Sequence, residues 1–308
     1  MEAEWSSQRS ATALAPSPNS RRGPLSFARR HPLVWYFVLA YAGSWLVEGV
    51  YGALQPRHVL PGWWLDLLTF LGPTAAAFTM TAVVSGRAGM LALLRRYVQG
   101  RSSVIWYLLA LVGIPALAFL GYLALPGAPS DLRLPSVGFI LTYINVYGWT
   151  FALGGPLGEE PGWRGFALPR LQQTHGPLVG SLILGVLWAF WHLPLFFVLP
   201  HYNGAGNNLM EIVRAFVVFV LFVAGVTVLF TWIFNRTGGG LLFVMLAHAS
   251  MNTAFNLFPA FFPGLSALSW VSSASVISFA LVVLATALVV AELTKGRLGE
   301  RSNPDVGK

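Results

Sequence analysis

Glu159 and Glu160 stand side by side in Gly154-Gly155-Pro156-Leu157-Gly158-Glu159-Glu160-Pro161-Gly162-Trp163-Arg164, between strongly apolar stretches. Paired carboxylates in such surroundings can hold a cation, share a proton or take one from water. Pro161 suits the first residue of a new helix, since its ring presets φ and its missing N–H costs nothing there. Both carboxylates would then sit at a helix N-terminus, where free N–H groups and the macrodipole favour negative charge. Burial acts the other way and disfavours the charged form, a balance suited to a general base. Arg164, four residues after Glu160, is spaced for an ion pair on one helix face. The plainer reading of these residues is a helix cap with a structural salt bridge.

Two histidines lie in other apolar stretches. His192 falls in Trp188-Ala189-Phe190-Trp191-His192-Leu193-Pro194, where a histidine among aromatics can equally be a hydrogen-bonded core residue. Chain geometry adds weight to it. Glu160 and His192 each lie sixteen residues from Gly176, in the turn His175-Gly176-Pro177, or about 24 Å along a helix. An antiparallel helical hairpin would bring them to similar levels. His248 and Asn252 are four apart and share a helix face, with Ala249, Thr253 and Asn256 continuing a small and polar surface. Taken alone, that pair reads as interhelical hydrogen-bond glue. Glu48 and Asp66 are the remaining ionisable outliers of the first two apolar stretches.

The elements that must carry these groups are membrane spans. The chain has 308 residues, 56% apolar and 10% charged, so it lacks the polar residues to cover a core in water. Eight stretches approach or exceed the roughly 20 residues needed to cross a bilayer: 33–54, 63–84, 104–125, 136–157, 181–199, 212–234, 241–262 and 268–293. The expected fold is an all-α, polytopic bundle of about eight transmembrane helices over residues 33–294. A disordered basic arm (1–32) precedes it and a tail (295–308) follows. The stretch at 33–54 is too long for a signal-peptide core. The absence of cysteine removes disulfides, thiolate metal sites and a cysteine nucleophile.

Charge distribution orients the bundle. With the N-terminus cytoplasmic, only Arg57, Arg133 and Arg214 of the nineteen Lys and Arg residues fall outside. That agrees with the positive-inside rule and predicts both termini on the cytoplasmic face of an inner or plasma membrane. The net charge of +8 is therefore a matter of membrane orientation, and no nucleic-acid partner is expected. Loops 55–62, 126–135 and 200–211 should lie outside.

In order along the chain come Glu159-Glu160-x-x-x-Arg164, Trp188-x-x-x-His192 and His248-x-x-x-Asn252, with Asn235-Arg236-Thr237-Gly238-Gly239-Gly240-Leu241-Leu242 before the last. Together they resemble the three motifs of the CPBP family, the CAAX-protease and bacteriocin-processing (Abi) intramembrane endopeptidases, over about residues 136–260. Pro161-Gly162 depart from the bulkier apolar residues of many members, and Trp188 stands where Phe is more frequent. The resemblance implies hydrolysis of a peptide bond in a membrane-associated protein or peptide. Glu159 would activate water with help from His192, and His248 and Asn252 would stabilise the oxyanion. Glu160 and Arg164, with Trp188, would support them. It leaves a metal open: Glu159, His192 and His248 could supply the three protein ligands of a catalytic zinc, while a metal-free glutamate mechanism fits equally. Neither the zincin H-E-x-x-H nor the hydrolase G-x-S-x-G signature occurs.

Two other readings stand beside this one. A non-catalytic relative would keep the motifs for folding and act as an immunity or scaffold protein. A transporter would string polar groups from face to face, whereas here they concentrate in three stretches. Depth is a tension within the first reading. His248 lies about ten residues, roughly 15 Å, into the seventh stretch, while the glutamates fall near the inner end of the fourth. A kink at 154–158 or a later end to that stretch would reconcile them.

Overall fold

The structure is a computed structural model that describes residues 24–54, 62–198, 208–264 and 274–300. Among the described residues every regular element is a helix, as the apolar stretches require. In order they form α1 (Pro24–Arg30), α2 (Pro32–Leu54), α3 (Gly62–Tyr97), α4 (Val104–Leu108) running through a π turn into α5 (Ile114–Leu123), α6 (Ala128–Asp131) and α7 (Gly138–Leu153). Then come α8 (Pro156–Gly162), a π turn (Trp163–Ala167), α9 (Leu168–His175), α10 (Pro177–Trp191), α11 (Leu195–Val198), α12 (Leu209–Arg236), α13 (Leu241–Leu257) and α14 (Ala274–Leu293). The chain is thus an all-α membrane bundle. Six of its described helical stretches are long and apolar enough to cross a bilayer, and the apolar part of α14, Ile277–Leu293, is shorter. The fourth predicted span is the 16-residue α7.

Two expectations change. Residues 24–30, assigned to a disordered arm, form α1, and Arg29 donates to the Val83 carbonyl at 2.8 Å. The second span does not give way to a loop after 84. Helix continues to Tyr97 with one break at Gly86 (φ +59°), because the stretch after it is rich in Ala, Leu and Arg. The tail begins as packed structure, with Leu298 buried and its carbonyl accepting from Asn235. The predicted loops 55–62 and 200–211 lie largely outside the described residues.

α12 and α13 are the most enclosed helices. α12 packs on α10 and α14, and α13 on α5, α7 and α8. Small residues permit the close crossings. A Cβ on Gly185 of α10 would lie 2.8 Å from Ala224 Cα of α12, and one on Gly121 of α5 would lie 2.7 Å from Phe279 Cα of α14. Prolines inside helices free carbonyls that neighbouring side chains then bind, as a membrane interior demands. Pro73 leaves the Thr69 carbonyl without its helical donor, and Ser44 Oγ supplies one at 2.7 Å. Pro169 does the same to the Gly165 carbonyl, which accepts from Arg96 at 3.3 Å.

Loops that the charge pattern puts on one side do meet. Arg133 N donates to Phe261 O and Gly264 N to Asp131 on the side assigned outward. On the opposite side Gln99 donates to Gly238 O. Which side faces the cytoplasm follows from the charge distribution alone.

Candidate active site

α7 ends at Leu153, and Gly155, at φ +106°, turns the chain in a conformation open to glycine alone. Pro156, not Pro161, then opens the new helix. The two glutamates therefore sit past its first residues, one turn further in than expected, and Pro161 lies inside α8. The break carries α8 against α3, α7 and α13. Through this break at 154–155 Glu160 meets His248 directly.

Glu160 Oε1 accepts from Arg164 Nη1 at 2.9 Å and from His248 Nδ1 at 2.8 Å. Glu160 and Arg164 are both fully buried. The guanidinium lies 4.4 Å from the Trp188 ring centroid and 5.1 Å from that of Phe230, so cation–π contact replaces part of its lost hydration. Glu159 Oε2 accepts from two indoles, Trp188 Nε1 at 2.6 Å and Trp163 Nε1 at 3.1 Å. Its Oε1 makes no hydrogen bond among the described residues.

His192 is reached through Trp188. Its Nδ1 lies 2.9 Å from the Trp188 carbonyl, which can only accept, so His192 donates there and keeps a lone pair on Nε2. The Trp188 ring stands 5.3 Å from His248 and 6.0 Å from His192, centroid to centroid. Trp188 is thus a hub that touches Glu159, Arg164 and both histidines. Asn252, on the face of α13 that carries His248, donates to the Gly154 carbonyl at 3.1 Å and so holds the end of α7. The motif residues come from α8 and the π turn, α10 with its C-terminal turn, and α13.

Sequence reasoning passed over several neighbours. Trp163, four residues after Glu159, lies on the same helical face by the spacing that singled out Arg164. Thr227 and Phe230 of α12 complete the surroundings of the guanidinium, with Thr227 Oγ1 3.5 Å from Arg164 Nη2. Tyr36 is fully buried and stacks edge-on against Trp163. Glu48 is also fully buried, but neither carboxylate oxygen has a hydrogen-bond partner among the described residues, and it stands outside this cluster. Asp66 lies where side chains are outside the described set.

Among the described residues no three His, Asp or Glu side chains are grouped to hold a metal ion. Glu159 Oε2 is aimed at two N–H donors and the Nδ1 atoms of both histidines are turned to protein acceptors, which leaves Glu159 Oε1 and the two Nε2 atoms open to a water or a metal ion.

Residues 142–254, which contain every group described above except Tyr36, Glu48 and Asp66, match the family of type II CAAX prenyl endopeptidases, Rce1-like. A 94-residue stretch is 28% identical to CAAX prenyl protease 2 of Methanococcus maripaludis, covering 30% of this chain and 34% of that protein. The match thus spans about a third of the relative's length. With the three motifs, these similarities support a likeness to the CPBP family over residues 142–254.

Proposed function

We propose that the chain is an intramembrane endopeptidase that hydrolyses a peptide bond of a membrane-associated protein or peptide. The observation that carries this is Glu159, whose Oε2 is pinned by two indole N–H groups while Oε1 is left without a bond to the described protein. A pinned carboxylate with one open oxygen is suited to orient and deprotonate water. Oε1 takes a proton from water as the water oxygen attacks the carbonyl carbon, with His192 Nε2 accepting from the water's other hydrogen. Asn252, through its second amide N–H, and His248, through Nε2–H when protonated, stabilise the oxyanion. The proton on Glu159 then passes to the leaving amine as the C–N bond breaks. Glu160 and Arg164 orient His248.

The family likeness brings prenylated C-terminal Cys peptides into a substrate panel, alongside unprenylated membrane peptides. The test is cleavage by purified protein in liposomes. Glu159→Gln should abolish cleavage in a folded, monodisperse protein, and chelator should leave the wild type unchanged. Asn252→Ala should lose about 10²–10³ in rate, as for other oxyanion donors. The same biological phenotype from Glu159→Gln as from wild type would mark a scaffold.

A further inference from the structure

On the basic side of the bundle, a cavity of about 260 Å³ lies between the second half of α3 and α9, outside the cluster around Trp188. Arg96 and Arg170 line it together with Thr81, Ser85, Gln173 and Gly165. No Asp or Glu lines it, and among the described residues neither arginine makes an ion pair. Both guanidiniums are held in place. Arg96 Nη1 donates to Gly165 O, while Arg170 Nη1 donates to Phe166 O at 2.7 Å and stacks 3.7 Å from the Phe166 ring. Each arginine carries five N–H donors and commits few of them to protein. The Arg96 charge acts unfavourably on Arg170. Two fixed, half-buried like charges without a counter-ion are costly unless an anion joins them. Two guanidiniums with hydroxyl and amide donors suit the oxygens of a phosphate group.

We propose that this cavity is a phosphate-binding site occupied by the head group of an anionic phospholipid. A basic pocket between membrane helices on the inward side is the setting in which such head groups are recognised. Gly165 adjoins Arg164, so an occupant would also brace the π turn that carries the Glu160 partner. The reading is independent of proteolysis.

Delipidated protein in neutral detergent would be titrated with phosphatidylglycerol, phosphatidylcholine or inorganic phosphate, following bound mass by native mass spectrometry and the unfolding temperature. Phosphatidylglycerol should bind at least tenfold tighter than phosphatidylcholine. The Arg96→Gln/Arg170→Gln variant should lose that preference, while Arg87→Gln/Arg95→Gln, an equal loss of charge on exposed residues of α3, should keep it. If the double variant does not fold, Ser85→Trp would fill the mouth with both arginines intact and should also abolish the preference. Stabilisation by inorganic phosphate that depends on the same arginines would support the phosphate site and identify a soluble source. Equal phosphatidylglycerol binding by wild type and by the cavity variants, or no effect of any phosphate ligand, would overturn the proposal.

Discussion

Glu160 shares one oxygen between Arg164 and His248, while its Oε2 has no partner among the described residues. Arg164 is thus the main counter-charge of a carboxylate with no exposure to solvent. Arg164→Ala should cost about 3–5 kcal/mol, the usual consequence of stranding one member of a buried pair. Arg164→Lys should recover part of this, since an ammonium restores the charge but lacks the planar fork and the stacking on Trp188 and Phe230. Denaturant unfolding in detergent measures both, and equal stability of Arg164→Ala and wild type would refute the assignment. At this scale the sequence was informative for the ionisable groups of α8 and α13, whereas Glu48, in an equally apolar run, stands apart from the site. Glu160, Arg164 and His248 meet as their types and spacing suggested. Trp163 and Trp188 were harder to place, because an indole beside apolar residues reads as packing until its N–H has a carboxylate in front of it.

The break between α7 and α8 is the element-scale device that sets the site. The glycines around it marked it in the sequence, but which proline opened the next helix did not follow, since Pro156 and Pro161 satisfy the same N-terminal rule. Gly162 is a second such position. A Cβ there would lie 2.6 Å from the Pro73 carbonyl oxygen and 2.5 Å from Tyr36 Oη, so α3 passes directly over it. This accounts for the small residue at position 162. Gly162→Ala should destabilise by about 1–3 kcal/mol through overpacking and should displace Glu159. Purified Gly162→Ala with unaltered melting temperature and unaltered cleavage would contradict that close approach. The run of α3 to Tyr97 was missed for a different reason. The stretch after residue 84 carries Arg87, Arg95 and Arg96 and so falls outside an apolar span, yet arginine is a good helix former and its stem can cover apolar surface.

For the whole molecule, hydropathy and charge bias anticipated a helical membrane bundle, and the pairing of loops by side agrees with the proposed topology. Its absolute orientation is directly testable, because the chain has no native cysteine. Ser130→Cys and Thr174→Cys, both at exposed positions, should react with membrane-impermeant maleimide from outside and from inside the cell, respectively. The reverse pattern would invert the topology.

The early end of α7 also has a consequence for the lipid around it. Sixteen residues reach about 24 Å, against a hydrocarbon core of about 30 Å. Ile140, Leu141, Ile144 and Trp149 of α7 are exposed, whereas Glu159, Glu160 and Gly162 of α8 are buried. The outer surface of α7 therefore offers lipid a shorter apolar wall than the 28-residue α12 does. Acyl chains beside α7 would compress or tilt to match it, a hydrophobic mismatch on that flank. A membrane-bound peptide approaching there would meet a thinned bilayer. Cleavage should therefore be faster in liposomes of 14-carbon than of 20-carbon acyl chains, and a rate indifferent to chain length would place the approach on another flank.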